Sequence, residues 1–201
     1  ARAISAELDR LNDERRAIEA TVQEEAERRA EAQGNRAVLL VAGAGWHPGV
    51  IGIVAGRLKE KLGRPAIVIA ADEAGLGKGS GRSVSGVDLG AAVLAAKDSG
   101  LLIAGGGHAM AAGLTVALDR IEALHDFLDE RLGSDIAHAN AARTLLFDAL
   151  VSVRGVCPDL VNSLDAAGPY GAGWPAPRVA TGPARIVKAD IVRNGHVRLV
   201  L

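Results

Sequence analysis

Aromatic side chains are scarce in this sequence: Trp46, Phe127, Phe147, Tyr170 and Trp174 are the five in 201 residues. Core bulk therefore has to come from Val, Ile, Leu and Ala, and few rings remain on which bases could stack. Cysteine is scarcer still. The single Cys157 cannot pair within the chain, which excludes a disulfide scaffold and a cysteine-built zinc site. No run approaches eighteen apolar residues and no basic-plus-apolar leader opens the chain, so the expectation is a cytoplasmic protein with no membrane partner. What is present is ordinary globular material, 49% hydrophobic and 23% charged. At about 150 residues per domain the length implies one large domain or two small ones. Such a chain buries roughly 70% of its unfolded surface, enough for stability without cross-links.

The net charge of −1 conceals a segregation. Residues 1–35 hold six Arg against nine acids, and residues 119–145 three basic groups against six, each net −3. Residues 36–118 hold eight basic groups against five acids (+3), and residues 146–201 six against four (+2). Two mildly basic blocks thus alternate with two acidic helical ones. The pattern is compatible with phosphate binding but is weak evidence for it.

Ile4, Leu8, Leu11, Ile18 and Val22 fall at helical spacing among Glu, Arg, Asp and Ala, with no Pro or Gly before Gly34. This predicts one helix of about 30 residues and 45–50 Å. Its apolar stripe fades after Val22, which predicts an exposed second half and a connector packed against something outside the chain. A coiled-coil dimer seam is the alternative. Beyond Gly34-Asn35, the short apolar runs 38–42 and 66–70 read as strands buried on both faces. The helical pattern from Val50 to Leu62 between them completes a βαβ unit with a parallel strand pair. A short strand follows near 78–84, then a helix at 89–97 with Asp88 as its cap and Gly100 closing it. A second glycine cluster at 105–107, a helical stretch at 109–112, a strand at 113–118 and a final helix from Asp119 to Leu132 complete an α/β domain at 36–133. Residues 134–201 read as a linker, a short helix at 159–167 and a hairpin around Asn194-Gly195, which together resemble the start of a small β-barrel.

Several familiar motifs fail. Gly77-Lys78 resembles the end of a P-loop, but Gly79 stands where Ser or Thr is required. Gly81-Arg82-Ser83-Val84-Ser85 misses a nucleophile elbow by one residue. His125 and His138 have acidic neighbours on an acidic helix and read as solvated surface. Three segments carry more chemistry. Trp46 and His47 stand at a strand-to-helix junction, where free amides and a positive dipole end attract anions; the competing reading makes Trp46 a core residue and His47 a cap partner. Lys78-Gly79-Ser80-Gly81-Arg82-Ser83 clears space around one Arg and two hydroxyls, a composition suited to a phosphate, or else is a flexible hairpin. Gly105-Gly106-Gly107-His108 reads as an anion-binding nest of amides with a His on its rim, or as a tight packing turn. In an open α/β sheet, loops at strand ends gather into one cleft.

With these residues in view the chain resembles a known family. Gly45–Ala55, Gly77–Asp88 with its Ser-Gly-Arg-Ser core, and Gly105–Gly113 are similar to the DHH-associated domain of RecJ-type exonucleases, within the DHH phosphodiesterase superfamily. The charged N-terminal helix resembles the connector (1–35) that leads from the catalytic DHH domain. The segment Gly168-Pro169-Tyr170-Gly171-Ala172-Gly173 resembles the start of the OB-fold, with Trp174 where Asn is more usual. The resemblance implies hydrolysis of single-stranded DNA from its 5′ end, in repair and recombination, by a monomeric enzyme that uses two Mn or Mg ions. Those metals would be held by the missing N-terminal DHH domain. The resemblance places Ser80, Arg82 and Ser83 at the 5′-phosphate, and Trp46, His47, Lys78 and the Gly105–His108 loop along the nucleic-acid cleft. A module of another DHH-type phosphodiesterase, or of an alanyl-tRNA editing protein, is the alternative. One outcome follows for the chain itself: purified on its own and supplied with Mn or Mg, it is expected to show no chelator-sensitive nuclease turnover on labelled DNA.

Overall fold

The computed structural model describes residues 2–141, 144–192 and 195–201, which fall into two units, 1–143 and 144–201. The first unit opens on helix α1 (Arg2–Glu31). Strand β1 (Leu39–Ala44), helix α2 (Ile51–Leu62) and strand β2 (Ala66–Ala71) then form the expected βαβ unit, with Val41 opposite Val68 in a parallel pair. Strand β3 (Leu76–Arg82) turns back antiparallel. Helix α3 (Leu89–Asp98) follows, its first turn capped by the Asp88 carboxylate, which accepts the Ala91 N–H at 2.9 Å. Strands β4 (Ala104–His108) and β5 (Ala111–Ala117) complete a five-stranded mixed sheet of order β1-β2-β3-β5-β4. A single 3-10 turn (Leu118–Arg120) then leads into α4 (Ile121–Ala141).

Two cores sandwich the sheet. On one face Val22, Ala26 and Ala30 of α1 meet Val54, Ala55 and Leu58 of α2 over Leu39, Val41, Ala66 and Val68. On the other, Leu89, Val93 and Ala96 of α3 and Leu124, Leu128 and Leu132 of α4 cover Leu40, Ile67, Ile69, Leu114 and Val116. The period of two in β3 divides its side chains between these faces. A Cβ at Gly77, Gly79 or Gly81 would lie 2.5–2.7 Å from Ile69, Leu114 or Leu89, so these positions are pressed into the second core. Lys78, Ser80 and Arg82 therefore emerge together on the α2 side.

Four expectations are corrected. Helix α1 buries its second half, not its first: Val22, Ala26 and Ala30 are closed off, whereas Ile4 and Leu8 are 67% and 60% exposed. The small alanines allow the close approach, and ion pairs from Glu27 and Glu31 to Lys61, at 2.8 and 3.1 Å, hold it. Residues 105–108 are not a loop and 109–112 are not helical. They form the β4–β5 hairpin, turned by Ala109 and Met110. Helix α4 runs nine residues past Leu132, to Ala141, so residues 134–141 belong to the first unit and are no linker. His125 is 4% exposed, and its Nε2 lies 2.8 Å from the Val38 carbonyl. Its acidic neighbours are not incidental, because Glu122, Asp126 and Asp129 all pair with Arg36. Asp126 and Asp129 hold that guanidinium's pKa above its ordinary value.

In the second unit β6 (Ala149–Val151) pairs in parallel with β7 (Val179–Thr181), with α5 (Pro158–Ala166) between them in sequence. Strands β8 (Lys188–Val192) and β9 (His196–Val200) form an antiparallel pair. Of the expected Asn194-Gly195 turn, Asn194 lies outside the described residues. No helix among the described residues is long and apolar enough to cross a membrane.

The two halves of α1 respond differently to substitution. Ala26→Leu is expected to cost about 1–3 kcal/mol by overpacking, and Leu8→Ser to stay within about 0.5 kcal/mol. Urea titration of the chain reads both. Glu25 and Glu27 sit below the ordinary carboxylate range, chiefly because Trp46 and Lys61 hydrogen-bond to them. A lowered carboxylate pKa contributes stability above its unfolded value and loses it as pH falls through the folded one. Amide exchange across residues 22–30 is therefore expected to accelerate as acid drops below the normal carboxylate range, while α4 keeps its protection longer.

Candidate nucleic-acid interface

Arg82 ends β3 with its side chain over the first turn of α2. A Cβ at Gly52, the second residue of that helix, would lie 3.0 Å from Arg82 Nη2 and 3.1 Å from Ser80 Oγ. A side chain at this position would crowd both groups, so the glycine leaves them room. Arg82 Nη1 donates to the Gly81 carbonyl at 2.9 Å and to Ser80 Oγ at 3.1 Å. No carboxylate lies within 4 Å of it among the described residues. The helix end it faces is bare as well: the cap residue Val50 offers no side-chain acceptor, and the Ile51 and Gly52 amides have no partner among the described residues. A guanidinium at the positive end of a helix dipole, without a counter-ion, is an electrostatic arrangement that an anion completes.

Two histidines are held in defined tautomers. His47 Nδ1 accepts the Gly49 N–H at 3.0 Å, and His108 Nδ1 accepts the Met110 N–H at 3.3 Å. In the neutral ring each then carries its proton on Nε2, for which no partner stands among the described residues. His47 is exposed on the loop entering α2. His108 ends β4, where its backbone closes to within 2.9 Å of the Cβ position at Gly90 in α3. Gly106, Gly107, His108, Asp88, Gly90 and Ala91 line a shallow groove of about 260 Å³ at that helix's capped end.

The residues singled out in the sequence divide. Lys78, Ser80, Arg82, Gly106 and His108 share one face of the sheet, with Lys78 exposed and no carboxylate within 4 Å of it among the described residues. Gly105 and Gly107 do not join them; they face Val93 and the Ala111–Ala112 backbone and serve close packing. Ser83 is 1% exposed and gives its hydroxyl to the Val87 carbonyl at 2.8 Å, so it is turned into the 83–87 turn and away from any phosphate. Trp46 is a core residue, 6% exposed. Its Nε1–H donates to Glu25 at 2.9 Å and Arg29 lies 5.4 Å over the ring, so neither face is offered to a base. Sequence reading missed Gly52, although the period-two pattern Gly-Lys-Gly-Ser-Gly-Arg already separated the polar face from the packed one. Among the described residues no three His, Cys, Asp or Glu converge as metal ligands. The Mn or Mg that the resemblance implies has no fitting donor set here.

Comparison with known proteins agrees with this architecture. The DHHA1 domain model matches residues 34–134, and the RecJ OB domain model matches residues 147–201. The single-stranded-DNA-specific exonuclease RecJ of Bacillus subtilis is 32% identical over 207 residues, covering all of this chain and 26% of that protein. Its counterpart in Escherichia coli is 31% identical over 208 residues, covering all of this chain and 36% of that one. The crystal structure of RecJ with Mn2+ from Thermus thermophilus superposes over 99% of the chain and 29% of its own, with a TM-score of 0.77 at 27% identity. The chain thus spans about a quarter to a third of the curated relatives it matches. The chain belongs to the DHHA1 domain family, and a RecJ OB domain match follows that domain in the sequence.

Proposed function

We propose that this chain is the substrate-binding portion of a RecJ-like 5′-to-3′ single-strand DNA exonuclease and that Arg82 and Ser80 receive the 5′-terminal phosphate. The observation that carries the reading is the guanidinium seated without a carboxylate against the bare first turn of α2. A terminal phosphate has more charge and more free oxygens than an internal diester. One oxygen edge takes the guanidinium fork; the Ser80 hydroxyl and the Ile51 and Gly52 amides suit the remaining oxygens. Lys78 and His108 lie further out on the same face, placed for internal phosphates. Hydrolysis would draw on Mn or Mg held by a preceding domain of the longer protein, and the residues here bind and orient the strand. The RecJ OB match behind the DHHA1 domain favours this reading over a tRNA-editing module or another phosphodiesterase.

Hydrogen bonds to charged groups are worth about 1.5–3 kcal/mol, roughly a tenfold to hundredfold preference for a phosphorylated end. Arg82→Ala in the full-length enzyme is expected to erase the preference for 5′-phosphate over 5′-hydroxyl strands in paired degradation assays. Lys59→Ala, on α2 and beside Glu60, should lower both rates alike or not at all. A wild-type preference in Arg82→Ala refutes the assignment. Contact with about three to five phosphates should also give a log K against log salt slope of roughly −2 to −3.5 for single strands.

A further inference from the structure

From the end of β1 to the start of α2 the chain runs Ala44-Gly45-Trp46-His47-Pro48-Gly49, and of these six Trp46 alone is buried. Its indole lies against the Gly43 backbone, where the ring leaves no room for a Cβ. The Nε1–H donates to the Glu25 carboxylate of α1 at 2.9 Å. Arg29, one turn further along α1, stands 5.4 Å from the ring centroid and donates to the Ala42 carbonyl of β1. A short chain of bonds leads on from the indole to the helix. The His47 carbonyl accepts the Val50 N–H at 3.1 Å, and the Val50 carbonyl accepts the Ile53 and Val54 N–H groups at 3.0 and 3.1 Å. Gly52, which leaves room for Arg82 and Ser80, stands inside that turn. A ring that only filled space could be satisfied by any backbone carbonyl, whereas a bond to an ionised carboxylate is roughly twice as strong. The other polar ties of α1 run to Arg57 and Lys61, further along α2, and to Leu40 and Ala42 of β1. A cavity of about 330 Å³ opens where Leu11, Arg15 and Ile18 of α1 stand near His47, Gly49 and Val50. The loop therefore has room to shift beside that cavity and is pegged at Trp46.

We propose that Trp46, gripped by Glu25, is a positioning residue that transmits the setting of α1 to His47 and to the first turn of α2. The mechanics rest on the loop alone; the consequence for binding rests on the phosphate seat proposed above. When α1 shifts at Glu25 the indole follows, and the imidazole of the next residue moves with it. Pro48 fixes its own φ, so the displacement is passed on toward Val50 rather than absorbed there. Strand β3 does not follow, because residues 77, 79 and 81 are locked against Ile69, Leu114 and Leu89. The gap between the first turn of α2 and Arg82 is thereby set from α1. Hydrogen bonds from N–H to oxygen fall within a window of about 0.5 Å, so a displacement of that size at Ile51 and Gly52 changes their fit to a phosphate. Trp46 touches no substrate in this arrangement and acts through the loop.

The test uses the full-length enzyme, with amide exchange read segment by segment and paired degradation of 5′-phosphate and 5′-hydroxyl strands. Trp46→Phe keeps a ring over Gly43 but has no N–H to give, and Glu25→Ala removes the acceptor. Each is expected to speed exchange across residues 45–54 about tenfold and to lower the 5′-phosphate preference, while β2 and α4 exchange as in wild type. The double variant should be no worse than either single one, since both remove the same bond. Glu25→Gln retains an oxygen that accepts the indole N–H and should restore both readouts. Lys61→Ala loosens α1 at Glu27 and Glu31 instead, and should speed exchange there while keeping the preference. Wild-type exchange at 45–54 in Glu25→Ala and Trp46→Phe overturns the proposal, as does acceleration spread evenly over the unit, which a packing role alone would give. Faster exchange at the loop with an unchanged preference, where Arg82→Ala has lost it, overturns it too, because the seat would not follow the loop. If Arg82→Ala keeps the preference while Glu25→Ala loosens 45–54 alone, the peg stands and the phosphate seat falls.

Discussion

The closeness of β3 to its neighbours on one face controls most of what the first unit does. Ile69, Leu114 and Leu89 approach so tightly that residues 77, 79 and 81 have no room for a side chain. Because a strand alternates, that packing demand sends Lys78, Ser80 and Arg82 to the opposite face together. A one-residue slip of register would bury two cations and expose the glycines, so the core that fixes register also fixes the site. Packing and the candidate site occupy the two sides of one strand.

The helix layers complete the arrangement unequally. Helices α3 and α4 cover their face of the sheet fully enough to bury Leu114 and Val116 of β5. On the other face the buried residues contributed by strands come from β1 and β2 alone. This asymmetry leaves β5 and β4 bare beside α2. It also explains the acidic cluster on α4: Glu122, Asp126 and Asp129 serve Arg36 at the entrance to β1, on the packed side of the sheet.

The βαβ unit, the Asp88 cap and the strand carrying Lys78–Arg82 are legible in the sequence because each follows from a local pattern: an apolar run, an Asx cap, a period of two. The hairpin at 104–117 is hidden because Gly105–Gly107 give no strand signal, and its pairing comes from β5. Burial along α1 is easily misread because Ala26 and Ala30 lack the bulk that marks an apolar stripe, although small size is what lets the helix approach. Ser83 and Trp46 illustrate another limit. Ser80 and Ser83 look equivalent in sequence, and parity together with the turn at 83–87 separates them. Trp46 is held by Glu25, twenty-one residues away, a contact no local pattern reveals. Arg82 is identifiable from its small neighbours, but Gly52, which makes room for it, lies on another element.

Helix α1 has a mechanical side. From Glu19 onward it is tied to the unit by Arg57, Lys61, Trp46 and the Ala42 carbonyl. The residues before Glu19 run on for about 25 Å at 1.5 Å per residue, with Leu11, Arg15 and Ile18 lining a cavity beside His47, Gly49 and Val50 and no ion pair to the rest of the unit among the described residues. Over that length, a tilt of about 10° at the ties moves the far end by about 4 Å, more than a hydrogen bond spans. Anything carried at that end is aimed by the ties, and the closeness of the Ala26 and Ala30 packing sets how finely.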